Sequence, residues 1–266
     1  MLLAALPCAA LADLRDAVNW ARMQGCAAPV RVALRDSPKL RRAALQMANG
    51  VSLHAALASA GYLAAQSSAV HLSGALSDVQ AGRILAANYC ATLTDPNLAE
   101  MGAERRGRDV WILLAGGVSV PSTGDAARIR RQILDLVNQA RAGGRRCGRK
   151  TYPAAAPLTL NSMLSRAALA HSQEMATYLQ FEHRGHDGSS PAIRVERAGY
   201  GGYLVVGENI AAGAMTPVEV TQGWLESPAH CENIMDSRFS EIGIAFAVNL
   251  ASSELVYWTQ VFAAPR

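Results

Sequence analysis

Through residues 125–179 the apolar positions recur every three or four residues. Ile129, Ile133, Val137 and Ala140 share one face behind Asp125, which predicts a helix over 126–141 capped by that aspartate. Leu164, Ala168, Met175 and Leu179 make a second stripe behind the cap residue Asn161. His171 lies on that stripe and so reads as a hydrogen-bonded core histidine, not a ligand. Thr216-Pro217-Val218-Glu219 has the form of a capping box with proline at the first helical position, starting a helix through Trp224, and Ser227-Pro228 starts a shorter one. The period then drops to two. Ile242, Ile244, Phe246 and Val248 alternate, as do Trp258, Gln260 and Phe262, with Asn249 to Ser253 as the hairpin loop. Helices laid on a small antiparallel sheet predict a layered α+β fold.

The first part of the chain repeats the framework of the second. Val18-Asn19-Trp20-Ala21-Arg22 before Cys26 resembles Val137-Asn138-Gln139-Ala140-Arg141 before Cys147. Leu40 to Leu45 resembles Leu164 to Leu169, and Ala60-Gly61-Tyr62 recurs as Ala198-Gly199-Tyr200. Cys90, Asp95, Glu100 and Gly102 reappear at one constant offset as Cys231, Asp236, Glu241 and Gly243, and Trp111 is matched to Trp258. Order preserved over so many matches predicts two copies of one fold. Residues 13–118 are the first, 119–124 a Gly/Ser/Pro-rich linker and 125–266 the second. The equivalence selects, from three possible connectivities, the disulfides Cys26–Cys90 and Cys147–Cys231. The segment Phe181-Glu182-His183-Arg184-Gly185-His186 belongs to the second copy alone, and Tyr89 stands where that copy has His230. The first copy reads as a framework that has lost its polar site.

Composition excludes several classes. Half of the 266 residues are hydrophobic and 17% are charged, the balance of an ordered globular chain. The net charge of +4 is carried almost wholly by arginine, since Lys39 and Lys150 are the only lysines, and the arginine pairs are scattered without aromatic platforms. No nucleic-acid groove follows. Residues 1–12, MLLAALPCAALA, are uncharged and end in Ala10-Leu11-Ala12, which reads as a short secretory signal peptide, with lipid anchoring through Cys8 as the rival reading. The longest later apolar run, Val110 to Val118, falls well short of the roughly 18 residues of a membrane span. An exported chain with four further cysteines suits an extracytoplasmic, oxidising compartment, periplasmic or secreted.

Five ordered segments carry the chemistry: Phe181-Glu182-His183, Gly207-Glu208-Asn209-Ile210-Ala211, Gly223-Trp224-Leu225-Glu226-Ser227-Pro228-Ala229-His230, Glu241-Ile242-Gly243-Ile244-Ala245 and Trp258-Thr259-Gln260-Val261-Phe262. Together they resemble the bacterial branch of the CAP superfamily (cysteine-rich secretory proteins, antigen five, pathogenesis-related one), also called SCP-like domains. The resemblance implies an α-β-α sandwich and a shallow His/Glu cavity that in some relatives binds a divalent metal. It also implies association with lipid or sterol binding and, less often, peptidase activity.

Carried over by position, His183 matches the first cavity histidine and Glu208 the glutamate of the Gly-Glu-Asn motif, with Asn209 and Gln260 completing the cavity. The second acidic position falls at Ser227 or Glu226, and the second histidine is replaced by Tyr257. His230 can stand in for it: as the third residue after the cap Ser227 it meets the positive end of the helix dipole, which favours the neutral imidazole that binds metal. His183, Glu208 and His230 then form a two-histidine, one-carboxylate set suited to zinc or another divalent cation. The leading expectation is a non-catalytic module binding a lipid, glycan or peptide. The alternatives are a metal-dependent, peptidase-like hydrolase using a water activated at His183, Glu208 and His230, for which only Glu226 or Glu182 is near in sequence as a base, and a purely structural tandem.

Overall fold

The computed structural model describes residues 13–28 and 30–266. The expected signal peptide and Cys8 lie outside these residues. The chain divides into two compact units at Val118/Ser119.

The first unit runs α1 (Leu14–Trp20), a π-helical turn (Ala21–Gly25), β1 (Arg35–Asp36), α2 (Pro38–Ala48), α3 (Leu53–Ser59), β2 (Ala64–Ser73), α4 (Asp78–Asn88), α5 (Cys90–Leu93), β3 (Glu100–Arg106) and β4 (Asp109–Gly117). Its sheet has the order β1-β3-β4-β2, with β1 parallel to β3 and the other pairs antiparallel. Val18, Ala81, Leu85, Val70, Ile112 and Leu114 fill one face of the sheet. Leu40, Ala44, Leu57, Leu113 and Ala115 fill the other.

The second unit runs α6 (Ala126–Ala142), β5 (Arg145–Cys147), β6 (Lys150–Tyr152), β7 (Thr159–Leu160), α7 (Ser162–Tyr178), α8 (Pro191–Arg197), β8 (Tyr203–Ala212), α9 (Pro217–Glu226), α10 (Pro228–Met235), β9 (Glu241–Val248) and β10 (Val256–Pro265). Its main sheet has the order β7-β9-β10-β8, again with the first pair parallel and the rest antiparallel. From α6, α9 and α10, Ile133, Val137, Trp224 and Ile234 pack with Ile242, Ile244, Phe246 and Trp258 on one face. From α7 and α8, Leu164, Ala168 and Val195 pack with Ala245 and Val261 on the other. This is the expected α-β-α layering.

Local expectations hold with three corrections. Asn161 accepts from the backbone of Met163 and Leu164, and Thr216 and Glu219 form the full capping box. Asp125 does not cap α6: it closes a 3₁₀ turn and pairs with Arg128. Ser227 occupies the N-cap position of α10 without a side-chain cap bond. Leu179 leaves the core stripe, ending α7 in a left-handed turn with φ 55° and its side chain exposed.

Each unit repeats the same buried contacts. Arg141 is fully buried and donates from Nε to Ala156 O, from Nη1 to Ile234 O and Asp236 O, and from Nη2 to Phe239 O. Arg22, 2% exposed, donates to the carbonyls of Val32, Leu93 and Asp95. Asn138 exchanges two bonds with the backbone of Leu158, and Asn19 does the same with Leu34. A Cβ on Gly243 would lie 2.1 Å from Leu164 C, and one on Gly102 would lie 2.2 Å from Leu40 C, so in both units a helix backbone rests directly on the strand. The disulfides are Cys26–Cys90 and Cys147–Cys231, closing separations of 64 and 84 residues. In the loop-closure account each contributes about 4 to 5 kcal/mol.

One match shifts by a residue. Gly102 lies opposite Leu113 and Gly243 opposite Val261, so Trp111 corresponds in register to Thr259 and Val110 to Trp258. A one-residue slip reverses the face. Trp111 accordingly packs toward the α2 and α3 side and stacks on His71 at 4.6 Å, while Trp258 is fully buried on the α6 side.

Replacing Arg141 by Met removes donors from four carbonyls in a closed space. At about 1.5 to 3 kcal/mol for a charged hydrogen bond, the loss should be at least about 3 kcal/mol in denaturant unfolding. Arg141→Lys should rescue little of it, because one ammonium cannot reproduce the fork. A loss under 1 kcal/mol would show that water replaces the guanidinium.

Candidate functional site

β8 is an edge strand of the second sheet, and its alternation sends successive residues to opposite faces. Glu208, opposite Val261, faces the α7 side. Its side chain is 2% exposed, yet it is well partnered. Arg194 Nη2 from α8 donates to both carboxylate oxygens at 3.0 and 2.8 Å, and His183 Nδ1 approaches Oε1 at 2.9 Å. The same Nη2 donates to His183 O, and Nη1 donates to Ser189 O at 2.9 Å. Arg194 therefore holds both the glutamate and the loop that carries His183. A carboxylate accepting from Nδ1 fixes the tautomer, leaving His183 Nε2 as the available ring atom on a half-exposed side chain.

His171 lies deeper, 1% exposed, with Nδ1 3.4 Å from Glu174 and Nε2 3.7 Å from Glu208 without a hydrogen bond. Burial pushes its imidazolium below the usual range and Arg194 adds to that, while Glu208 and Glu174 oppose it. His171 is the expected core histidine, but it touches the edge of the site.

On the opposite face of β8, Asn209 is fully buried and donates to His230 O at 3.1 Å and Gln260 Oε1 at 3.2 Å. Asn233 of α10 donates to Asn209 Oδ1 and Glu208 O, closing a polar chain between strand and helix. His230 is half-buried, and burial followed by the nearby His183 lowers its pKa, in the direction that the helix dipole argument expects.

The remaining candidates separate. Glu226 is exposed and accepts from Gln222, and Glu182 is exposed and accepts from Gln180. Tyr257 is buried beside Met175 and Ile210, its hydroxyl bonded to Ser252 at 2.6 Å. His186 stacks on Tyr178 at 3.7 Å. Ser227 and His230 both line a cleft of about 470 Å³ beside the β8 edge, walled by Phe181, Ile210, Val220 and Trp224 and floored by Ala211, Ala212 and Gly223. Trp224 Nε1 donates to Ile210 O, so the ring is fixed against the edge strand.

Two contributors escaped the sequence reading. Arg194 follows a Ser-Pro helix start and is chemically indistinguishable from Arg197, which stays exposed and pairs with Asp187. Only long-range contacts reveal which arginine turns inward. Asn233 did carry a signal, since it sits one helical turn after His230, facing the same strand.

As placed, His183, Glu208 and His230 do not offer a divalent cation three ligands. Glu208 has both oxygens engaged by a guanidinium that already supplies the positive charge a metal would bring. Among the described residues no group of three or more His, Cys, Asp or Glu side chains could hold a metal ion.

A mixed layered fold with two disulfides and a buried Glu-Asn pair on an edge strand defines the class. Residues 134–262 match the model of the CAP family, described as the cysteine-rich secretory protein family. Over 144 residues, 54% of the chain, it is 33% identical to the uncharacterized protein YkwD of Bacillus subtilis (strain 168). The match spans about half of that relative's length, 49%. An extracellular SCP-domain protein of Bacillus anthracis str. Ames is similar in structure (TM-score 0.43, 19% identity, 66% of this chain and 70% of that one). So is an outer surface protein of Borrelia burgdorferi (TM-score 0.43, 16% identity, 55% and 97%).

Two tests follow. Glu208→Gln leaves Arg194 buried without its counter-charge and should cost about 3 kcal/mol or more in denaturant unfolding. His171 and His230 are held neutral below their ordinary value of 6.5. Unfolding therefore takes up protons between the folded value and 6.5, and stability is complete above about pH 7 and falls as pH drops toward 5. His171→Asn combined with His230→Asn should flatten the melting temperature between pH 5 and 7. An unchanged slope would assign it to other groups.

Proposed function

We propose that the chain is a non-catalytic extracytoplasmic binding module whose CAP domain takes its ligand in the cleft beside β8, the first unit serving as a scaffold copy without a site. The observation that carries this reading is the cleft: apolar walls of Phe181, Ile210, Val220 and Trp224, with polar groups confined to His230, Ser227, Glu219 and Glu254. Such a composition suits a ligand with an apolar body and one polar end, a lipid or an apolar peptide segment in preference to a glycan. Glu208 lies outside the cleft lining and is committed to Arg194, which disfavours it as a general base or as part of a hydrolytic metal centre. The two disulfides fit export to an oxidising compartment, and no helix among the described residues is long and apolar enough to cross a membrane.

The scaffold reading rests on the paired contacts of Arg22 and Arg141 and on strand register. Where the second unit has Glu208, Asn209 and Gln260, the register of the first gives Ala69, Val70 and Ile112.

Gly223 supplies the test, because a Cβ there meets nothing within 4 Å. Gly223→Trp should fill the cleft without straining α9, leaving the melting temperature unchanged or slightly raised while abolishing retention of a fluorescent fatty acid and of co-purifying lipid seen by native mass spectrometry. Equal retention by wild type and variant would remove the cleft as the site. Hydrolysis of unbiased ester or peptide libraries that disappears in His183→Ala would favour an enzyme instead.

A further inference from the structure

A larger cavity lies on the other side of the sheet, between α7, α8 and the 184–189 loop, with a volume of about 630 Å³. Ala167, Ala170, Ala198 and Gly199 give it a smooth apolar wall, and Arg166 and Arg194 add cationic groups. Its two carboxylates are already satisfied: Asp187 pairs with Arg197 and accepts from Ser189 N, and Glu174 accepts from Asp187 N and faces His171. Arg197 is taken by Asp187 and Arg194 by Glu208, but Arg166 and Arg194 each keep an unused donor. Arg166 has one bond, to Ala198 O at 2.8 Å at the end of α8, and no carboxylate partner among the described residues. Arg194 is 5% exposed and its terminal nitrogens are engaged, yet its Nε is a buried donor without an acceptor. A buried unpaired donor costs free energy until an acceptor arrives.

We propose that this cavity is a second ligand site, which takes a carboxylate on a short aliphatic body: the carboxylate between Arg166 and Arg194 Nε, the body against the alanine and glycine wall. The volume suits a small molecule or one terminal residue of a peptide. The site is independent of the cleft beside β8, but Arg194 joins it to Glu208 and His183. Occupancy therefore reaches the His183 ring through one guanidinium.

The test is NMR titration of the full isotope-labelled chain with valerate and, separately, with acetyl-dialanine, each against its uncharged amide. Saturable shifts in α8 and the 184–189 loop, accompanied by a shift of the His183 ring, are expected with a carboxylate and not with its amide. Response to valerate assigns the source as a free acid, and response to acetyl-dialanine alone assigns it as a peptide C-terminus. Arg166→Gln, on the exposed face of α7, should weaken binding about tenfold or more, the value of one charged hydrogen bond. Ala170→Trp should block the cavity, while Gly223→Trp leaves this binding untouched. No saturable shift with either carboxylate, equal shifts with the amides, or full binding by Ala170→Trp would overturn the proposal.

Discussion

Arg141 leaves α6 for a fully buried position and spreads one positive charge over the carbonyls of Ala156, Ile234, Asp236 and Phe239. Those carbonyls belong to the loop before β7, the end of α10 and the turn into β9. One side chain thus sets the distance between a helix and three segments far from it in sequence. Burial pulls its pKa down and Asp236 pulls it back, and a guanidinium is the side-chain cation best able to stay charged there. With α10 held this way, His230 and Asn233 meet β8 at fixed height. The disulfide from Cys147 to Cys231 then fastens the same helix at its other end.

β8 turns that frame into two different environments. On the α10 side, Asn209, Asn233 and Gln260 satisfy one another and present His230 to the cleft. On the α7 side, Glu208 is neutralised by Arg194 and orients His183. A carboxylate placed so deeply needs a partner, and the guanidinium answers that need through Nη2, which donates to both carboxylate oxygens. The polar cluster therefore organises a loop and a histidine, and on the proposed function the apolar cleft next to it is where a ligand would bury its surface.

Much of this was legible in the chain. Periodicity located α6 and α7, half-buried helices with a one-sided pattern, and it located β9 and β10, buried on both faces, because large residues alternate with small or polar ones along them. The ordered repeat selected both disulfides before any contact was known. The Gly-Glu-Asn segment marked the site, but its grouping was not readable: Glu226, Tyr257 and Glu208 stand alike in sequence, and only the tertiary packing sends the first to solvent, the second to the core and the third to Arg194. The Trp111 match failed for a related reason. Residue identity outweighed strand register, and a single residue of slip moves a side chain through the sheet. Asp125 and Ser227 had the right type and position for caps, yet Arg128 draws off the first and the second makes no cap bond.

On the proposed equivalence, the first unit is an internal control for the second. It keeps the buried arginine, the Asn19 brace, the glycine contact and the disulfide, and it has the same strand order, with Ala69, Val70, Ile112, Met47 and Tyr89 where the second unit has Glu208, Asn209, Gln260, His171 and His230. A fold that forms with apolar residues in the strand places does not need the polar ones for stability. Replacing a buried ion pair by packed apolar groups is often neutral or favourable by about 1 to 4 kcal/mol. The Glu208–Arg194 pair, with His183 and an Nε left unsatisfied, thus carries a cost that its neighbouring copy avoids. On the proposed function, a cost present in one copy and absent from the other is what a cluster kept for binding, directly or by holding the His183 loop, would show.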